Sequence, residues 1–89
     1  MPAARIIVIG LVQGVFYRAQ AKEKADALGL TGFVKNLDNG GVEIFAEGPE
    51  EKLKELEQWC RKGPPKAKVT DVTVTEDQPK GLLSFDVWY

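Results

Sequence analysis

The order in which strand-like and helix-like patterns follow one another is the feature that most restricts how this chain can fold. The first pattern is a continuous, mostly β-branched run from Arg5 to Val12, which is typical of a strand buried on both faces inside a sheet. Ala21, Ala25 and Leu28 then recur at the spacing of one helical face. This spacing predicts a helix over Ala19 to Leu28.

The central part of the chain predicts a hairpin. A second strand is expected over Thr31 to Leu37. The sequence from Asp38 to Gly41 favours a tight turn, because Asn and Gly tolerate the positive φ angles of such turns. From Val42 to Glu47, apolar residues alternate with Glu, Phe and Glu, which predicts a third strand with one mostly polar face.

The C-terminal part of the chain predicts a second helix and two more strands. We expect the helix to have Pro49 at its first position and to end before Gly63. Its apolar stripe consists of Leu53, Leu56, Trp59 and Cys60. The strands are predicted over Val69 to Thr75 and in a short terminal segment with an apolar face of Leu83, Phe85, Val87 and Tyr89.

Together these elements predict an α+β fold. The order βαββαβ, followed by a terminal strand, indicates a ferredoxin-like sandwich with an antiparallel sheet and both helices on one face. A chain of 89 residues buries one modest core, so residues 1–89 are expected to form a single domain. This fold hosts unrelated functions, so function has to be argued from a site.

Residue types that the chain lacks exclude several classes of site. The sequence contains no His and a single Cys, Cys60. These counts exclude a Ser-His-Asp triad, a zinc site with His ligands, an internal disulfide and a Cys-rich metal cluster. One Cys suits a reducing compartment, and the sequence contains no signal peptide and no membrane-spanning run. We therefore expect a cytoplasmic protein that does not bind a membrane.

The near-neutral total charge hides an asymmetry between the two parts of the chain. Residues 1–36 carry five basic and two acidic side chains, whereas residues 37–89 carry seven basic and eleven acidic ones. Nucleic acid requires a broader basic field than this. The charge asymmetry is compatible with a small anion bound by the N-terminal part, and also with a chance distribution of charged residues.

The segment between the first strand and the first helix is the strongest candidate for a binding site. Gly10 to Arg18 contains two glycines, which let a loop turn its backbone N–H groups toward an anion, and the following helix N-terminus adds partial positive charge. Arg18 can add a bidentate guanidinium contact. These residues support an oxyanion or phosphate cradle; the alternative is a plain connecting loop with a solvated Arg.

Asn36 is the second candidate, because it lies at the end of the second predicted strand. An amide there can hold a water molecule without ionising. By propensity alone, Asn36 is more often the residue that starts a turn.

These two segments resemble the signatures of a known family. Gly10 to Arg18, G-L-V-Q-G-V-F-Y-R, resembles the acylphosphatase signature G-x-V-Q-G-V-x-[FM]-R. Gly32 to Gly48 is similar to the family's second signature, G-aromatic-x-x-N-x-x-x-G-x-V-x-x-x-x-x-G. The resemblance covers essentially the whole chain. One departure is Tyr17, where the signature has Phe or Met, so its hydroxyl needs a partner or solvent.

The resemblance implies an enzyme that hydrolyses acyl phosphates to carboxylate and inorganic phosphate. It implies that Arg18 binds the phosphoryl oxygens and that Asn36 positions the attacking water. The remaining substrate-binding positions contribute backbone N–H groups: Gln13, Gly14, Val15, Phe16 and Tyr17. No cofactor and no metal are implied. A chain without His is compatible with this reaction, because the carboxylate leaves without needing a proton.

Two other functions remain open at the level of sequence. One is a catalytically silent, anion-binding domain of the same family. The other is an RNA-binding module, for which Phe33 and Phe45 could supply stacking surfaces, but Glu43 and Glu47 flank Phe45 on the same strand face and would repel phosphate. We therefore expect no nucleic-acid partner, and a chain of this size and charge is expected to be a monomer.

Overall fold

A computed structural model describes residues 2–89 of the protein. Within these residues it contains five strands and two helices: β1 Ala3–Leu11, α1 Tyr17–Ala27, β2 Thr31–Asn36, β3 Val42–Glu47, α2 Glu50–Lys62, β4 Lys68–Asp77 and β5 Phe85–Trp88. The predicted order of elements is confirmed. No helix in this part of the chain is long and apolar enough to cross a membrane.

The strands form one sheet in the order β4-β1-β3-β2-β5. The first four pair antiparallel, whereas β5 pairs parallel with β2. The ferredoxin-like βαββαβ arrangement is therefore confirmed, but the sheet is mixed and not wholly antiparallel. β5 is an edge strand beside β2 and runs in the same direction as β2. No local pattern in the sequence encodes this pairing.

Both helices pack on the same face of the sheet, as predicted, and we call this the helix face. Ile6, Val8, Val34 and Ile44 lie there, fully buried against residues of both helices such as Ala21 and Leu56. The prediction that β1 is buried on both faces is wrong. Ile9 on the opposite, open face is 37% exposed, because no helix covers that face.

The polar face of β3 is itself buried, which the alternating pattern did not predict. Glu43 and Glu47 are almost completely covered. β3 is the central strand, and Phe45 lies between the two Glu residues with its ring stacked against Phe33, 5.6 Å between centroids. Because Phe45 is fully buried, it offers no stacking surface to a nucleic-acid base.

The ends of two C-terminal elements differ from their predicted positions. Pro49 is the N-cap of α2 and lies just before its first helical residue. Leu83 and Tyr89 lie outside β5 with fully exposed side chains, so only Phe85 and Val87 of the predicted apolar face pack against the core.

The topology brings three strand ends together. β1, β2 and β5 run in the same direction, so their C-terminal ends lie at one edge of the sheet. The loop that follows β1 leads there into the N-terminus of α1.

Candidate active site

A cleft of about 270 Å³ opens at this edge. It is lined by Val12, Gly14, Phe16, Tyr17, Arg18, Ala19, Asn36, Val87 and Tyr89. Arg18 and Asn36, the two candidates from sequence, thus share one cleft although 18 positions separate them in the chain. A few polar groups among apolar lining residues are typical of a small-molecule site.

The loop between β1 and α1 has the backbone geometry of an anion cradle. Gly14 and Phe16 both have positive φ angles, of 74° and 65°. Phe16 is the N-cap residue of α1 and makes no side-chain capping hydrogen bond. The first N–H groups of α1 therefore have no side-chain cap, and the residues that carry them line the cleft at the positive end of the helix dipole.

Two contacts from the C-terminal segment hold Arg18. Its Nη1 donates a hydrogen bond to the Trp88 carbonyl at 3.0 Å, and its guanidinium lies over the Tyr89 ring, 4.7 Å from the centroid. These contacts fix the plane of the guanidinium, and its other N–H groups remain available to an anion. Sequence reasoning missed this role of the C-terminal segment, because it depends on the pairing of β5 with β2.

Gln13 links the loop to the hairpin that carries Asn36. Its Nε2 donates to the carbonyls of Leu37 and Gly41 at 2.7 and 2.9 Å. Gln13 and Val15 are not among the residues that line the cleft, whereas Gly14, Phe16 and Tyr17 of the predicted binding loop are. Asn36 is exposed at the end of β2, immediately before the residue that Gln13 holds.

Tyr17, the departure from the family signature, is buried between the two helices. Its ring packs against Trp59, and its hydroxyl donates to the Cys60 carbonyl at 2.8 Å. The residue four positions after Cys60 is Pro64, which has no N–H, so the phenol takes the place of the missing helical donor. Burial, and secondarily the neighbouring Cys60, raise the pKa of Tyr17 far above its ordinary value.

Cys60, from the predicted apolar stripe of α2, is completely buried. Burial raises the pKa of its thiol to about 12, so it remains protonated at neutral pH and is not a nucleophile.

The basic side chains of residues 1–36 do not converge on the cleft. Arg18 alone among the five is part of its lining. Lys22 pairs with Asp26 at 2.9 Å, whereas Arg5 and Lys35 lie on the open face beside Glu43. Among residues 2–89, no group of three or more His, Cys, Asp or Glu side chains is placed to hold a metal ion.

The family model described as Acylphosphatase matches residues 4–87, which include the cradle loop, Arg18 and Asn36. The chain belongs to the acylphosphatase family. A relative named Acylphosphatase from Methylococcus capsulatus is 53% identical over 85% of this chain and 83% of its own length. Another so named, from Haloquadratum walsbyi, is 45% identical over 94% of this chain and 90% of its own.

A solved structure of the family has the same fold as this chain. The crystal structure of acylphosphatase from Bacillus subtilis superposes with a TM-score of 0.97 at 46% identity, and the match covers 100% of both chains.

Proposed function

We propose that this member of the acylphosphatase family hydrolyses acyl phosphates to a carboxylate and inorganic phosphate. One observation carries the proposal: an uncapped helix N-terminus, the Arg18 guanidinium and the Asn36 amide line the same cleft. The relatives named Acylphosphatase support it over most of the chain. The presence of both Arg18 and Asn36 argues against the silent, anion-binding alternative.

Arg18 and the loop amides bind the phosphoryl group in this proposal. The backbone N–H groups from Gln13 to Arg18 contact its oxygens, and Arg18 adds a charged donor whose orientation Trp88 and Tyr89 fix. Phosphoryl transfer passes through a loose transition state with charge on the equatorial oxygens. Donors fixed around those oxygens lower the barrier without reorganising during the reaction.

Asn36 holds the attacking water in line with the bond that breaks. The water oxygen forms a bond to phosphorus while the bond from phosphorus to the acyl oxygen breaks, and the electron pair leaves with the carboxylate. The water proton passes to a phosphate oxygen of the substrate. Because the carboxylate leaves without protonation and the substrate accepts the proton, the reaction requires neither a protein base nor a metal ion.

The proposal extends to the domain organisation, cellular location and partners of the protein. Residues 1–89 form a single domain, a proposal supported by the one sheet and the shared core of both helices. We also propose a cytoplasmic monomer with no membrane partner. The proposal includes no nucleic-acid partner, because Arg5 and Lys35 on the open face pair with Glu43 and Asp77.

Phosphate release from benzoyl phosphate, measured with EDTA present, tests the proposal. We expect hydrolysis under these conditions and competitive inhibition by inorganic phosphate. Arg18→Gln should raise the phosphate inhibition constant and lower kcat/KM by more than about 100-fold, the usual effect of removing one oxyanion donor. Lys54→Gln removes one positive charge from an exposed position of α2 outside the cleft lining, and it should change neither value appreciably.

Two results would contradict the scheme. Hydrolysis that stops in EDTA and returns with Mg²⁺ would exclude the metal-free reaction. Phosphate binding without turnover would favour the silent alternative.

A further inference from the structure

Two large aromatic side chains stand exposed at the mouth of the candidate active site. Phe16 is 72% exposed and Tyr89 is fully exposed, and both line the cleft that contains Arg18 and Asn36. Aromatic side chains of this exposure add no core packing to the free energy of folding. The contact with Arg18 accounts for the position of Tyr89, but core packing does not account for that of Phe16.

The backbone conformation of Phe16 is a second sign that its position serves a purpose other than folding. Its φ of 65° and ψ of 19° lie in the left-handed region, which a bulky side chain occupies at a cost in free energy. Glycine adopts the same conformation freely, as Gly14 does two residues earlier at φ 74°. The phenylalanine ring is thus held in a costly conformation without being buried, and such strain is concentrated at binding sites.

The direction of a bound substrate follows from the polar end of the cleft. An acyl phosphate has one anionic end, which the Arg18 guanidinium and the N–H groups of α1 attract. Its acyl group is bonded to that phosphate, so it must leave the anion cradle past the remaining lining. That lining is apolar or aromatic at Val12, Phe16, Val87 and Tyr89.

We propose that Phe16 and Tyr89 form an aromatic rim that binds the acyl group, so that the enzyme prefers aromatic over small aliphatic acyl phosphates. This inference rests on the proposed function and adds its substrate preference. Apolar contact with a planar acyl group covers both exposed rings and is strengthened by aromatic stacking. Acetyl phosphate has only a methyl group to offer to the same surface.

The test compares kcat/KM for benzoyl and acetyl phosphate in the wild type and two variants. Phe16→Gly removes the ring while keeping the positive φ accessible, and it should lower the benzoyl-to-acetyl ratio by about fivefold. Tyr89→Leu should lower kcat/KM for both substrates through Arg18 and lower the ratio as well. The intrinsic reactivity of each substrate cancels when a variant's ratio is divided by that of the wild type.

Leu83→Ala is the matched control, because Leu83 is 97% exposed and lies outside the cleft lining. It should leave the ratio unchanged. If Phe16→Gly only loosens the loop, the phosphate inhibition constant rises and both kcat/KM values fall together, and an unchanged ratio overturns the aromatic rim. Failure of the wild type to hydrolyse either substrate would overturn the proposed function itself, and this inference with it.

Discussion

At the scale of single residues, the proposed role of Asn36 predicts an effect on catalysis without an effect on phosphate binding. Its side chain is exposed at the end of β2, so its removal leaves the core intact. We expect Asn36→Ala to lower kcat for benzoyl phosphate by about 100-fold, because the water loses its aligned position. The phosphate inhibition constant should change little, since Arg18 and the loop amides remain.

Asn39→Ala provides the comparison for this variant. Asn39 lies in the neighbouring hairpin turn, where its side-chain oxygen accepts the Gly41 N–H, and it is absent from the cleft lining. Its replacement should affect stability alone. Equal kcat values for Asn36→Ala and the wild type would exclude the water-positioning role.

The hydroxyl of Tyr17 is expected to contribute to stability and not to the reaction. Tyr17→Phe introduces the residue of the family signature but leaves the buried Cys60 carbonyl without its donor. We expect the free energy of unfolding to fall by about 1–2 kcal/mol, the cost of an unsatisfied buried acceptor. Urea unfolding should show a lower midpoint at an unchanged m-value, with kcat unaltered.

The exposed Tyr89 supplies the control for Tyr17. Tyr89→Phe removes the same hydroxyl from a fully exposed ring and should leave the unfolding midpoint unchanged. If both variants unfold at the wild-type midpoint, the Tyr17 hydroxyl does not stabilise the end of α2.

At the scale of elements, Gln13 is the connection between the cradle loop and the β2–β3 hairpin. Gln13→Ala removes the two hydrogen bonds to Leu37 and Gly41, and the loop and Asn36 then lose their fixed separation. We expect kcat/KM to fall by about tenfold and the free energy of unfolding by about 1 kcal/mol. Steady-state kinetics and urea unfolding measure the two effects.

Gln58→Ala removes the same side chain from the exposed face of α2 and should alter neither quantity. A wild-type kcat/KM for Gln13→Ala would show that the two Gln13 hydrogen bonds do not position catalytic groups.

At the scale of the whole molecule, Glu47 links the central strand to the C-terminal segment. Its carboxylate accepts the N–H groups of Lys80, Gly81 and Leu82 at 2.5–3.0 Å, and these residues lead the chain toward β5. Burial opposes ionisation of Glu47, but the three N–H donors and the Lys80 charge outweigh it and hold its pKa below the usual value.

This arrangement predicts a pH dependence of stability. Because the folded-state pKa of Glu47 is lowered, its contribution is complete above about pH 4.5 and is lost as the pH falls through the folded-state pKa. Glu47→Gln should reduce the free energy of unfolding by about 2 kcal/mol at pH 7, and the difference from wild type should narrow below pH 4.5. Urea unfolding at a series of pH values measures it.

Glu55→Gln, on the exposed surface of α2, should follow the wild-type curve throughout. Asp77, whose pKa is lowered by the Gln78 N–H and by Arg5, titrates in all three proteins and therefore cancels from the differences. A constant difference between Glu47→Gln and wild type at every pH would contradict a role for the Glu47 charge.

Much of the fold and of the site follows from local sequence. The helical spacing of Ala21 and Ala25 and the turn residues before Val42 predict their elements, because helices and tight turns depend on residues close together in the chain. The glycine-containing loop before the first helix makes Arg18 a candidate, whereas the role of Asn36 comes from the resemblance to the family signatures. The incorrect predictions depend on residues distant in the sequence. The exposure of Ile9 depends on which sheet face the helices cover, and the burial of Glu47 depends on which strand is central.

The sequence by itself determined the order of the elements, the two signatures and the absence of a catalytic His. Only the tertiary structure decided that β5 runs parallel to β2, and this pairing places the Trp88 carbonyl and the Tyr89 ring against Arg18. The physical reason is that strand pairing joins backbone groups far apart in the chain. A periodic pattern reports which face of a strand is apolar, but not which strand lies beside it.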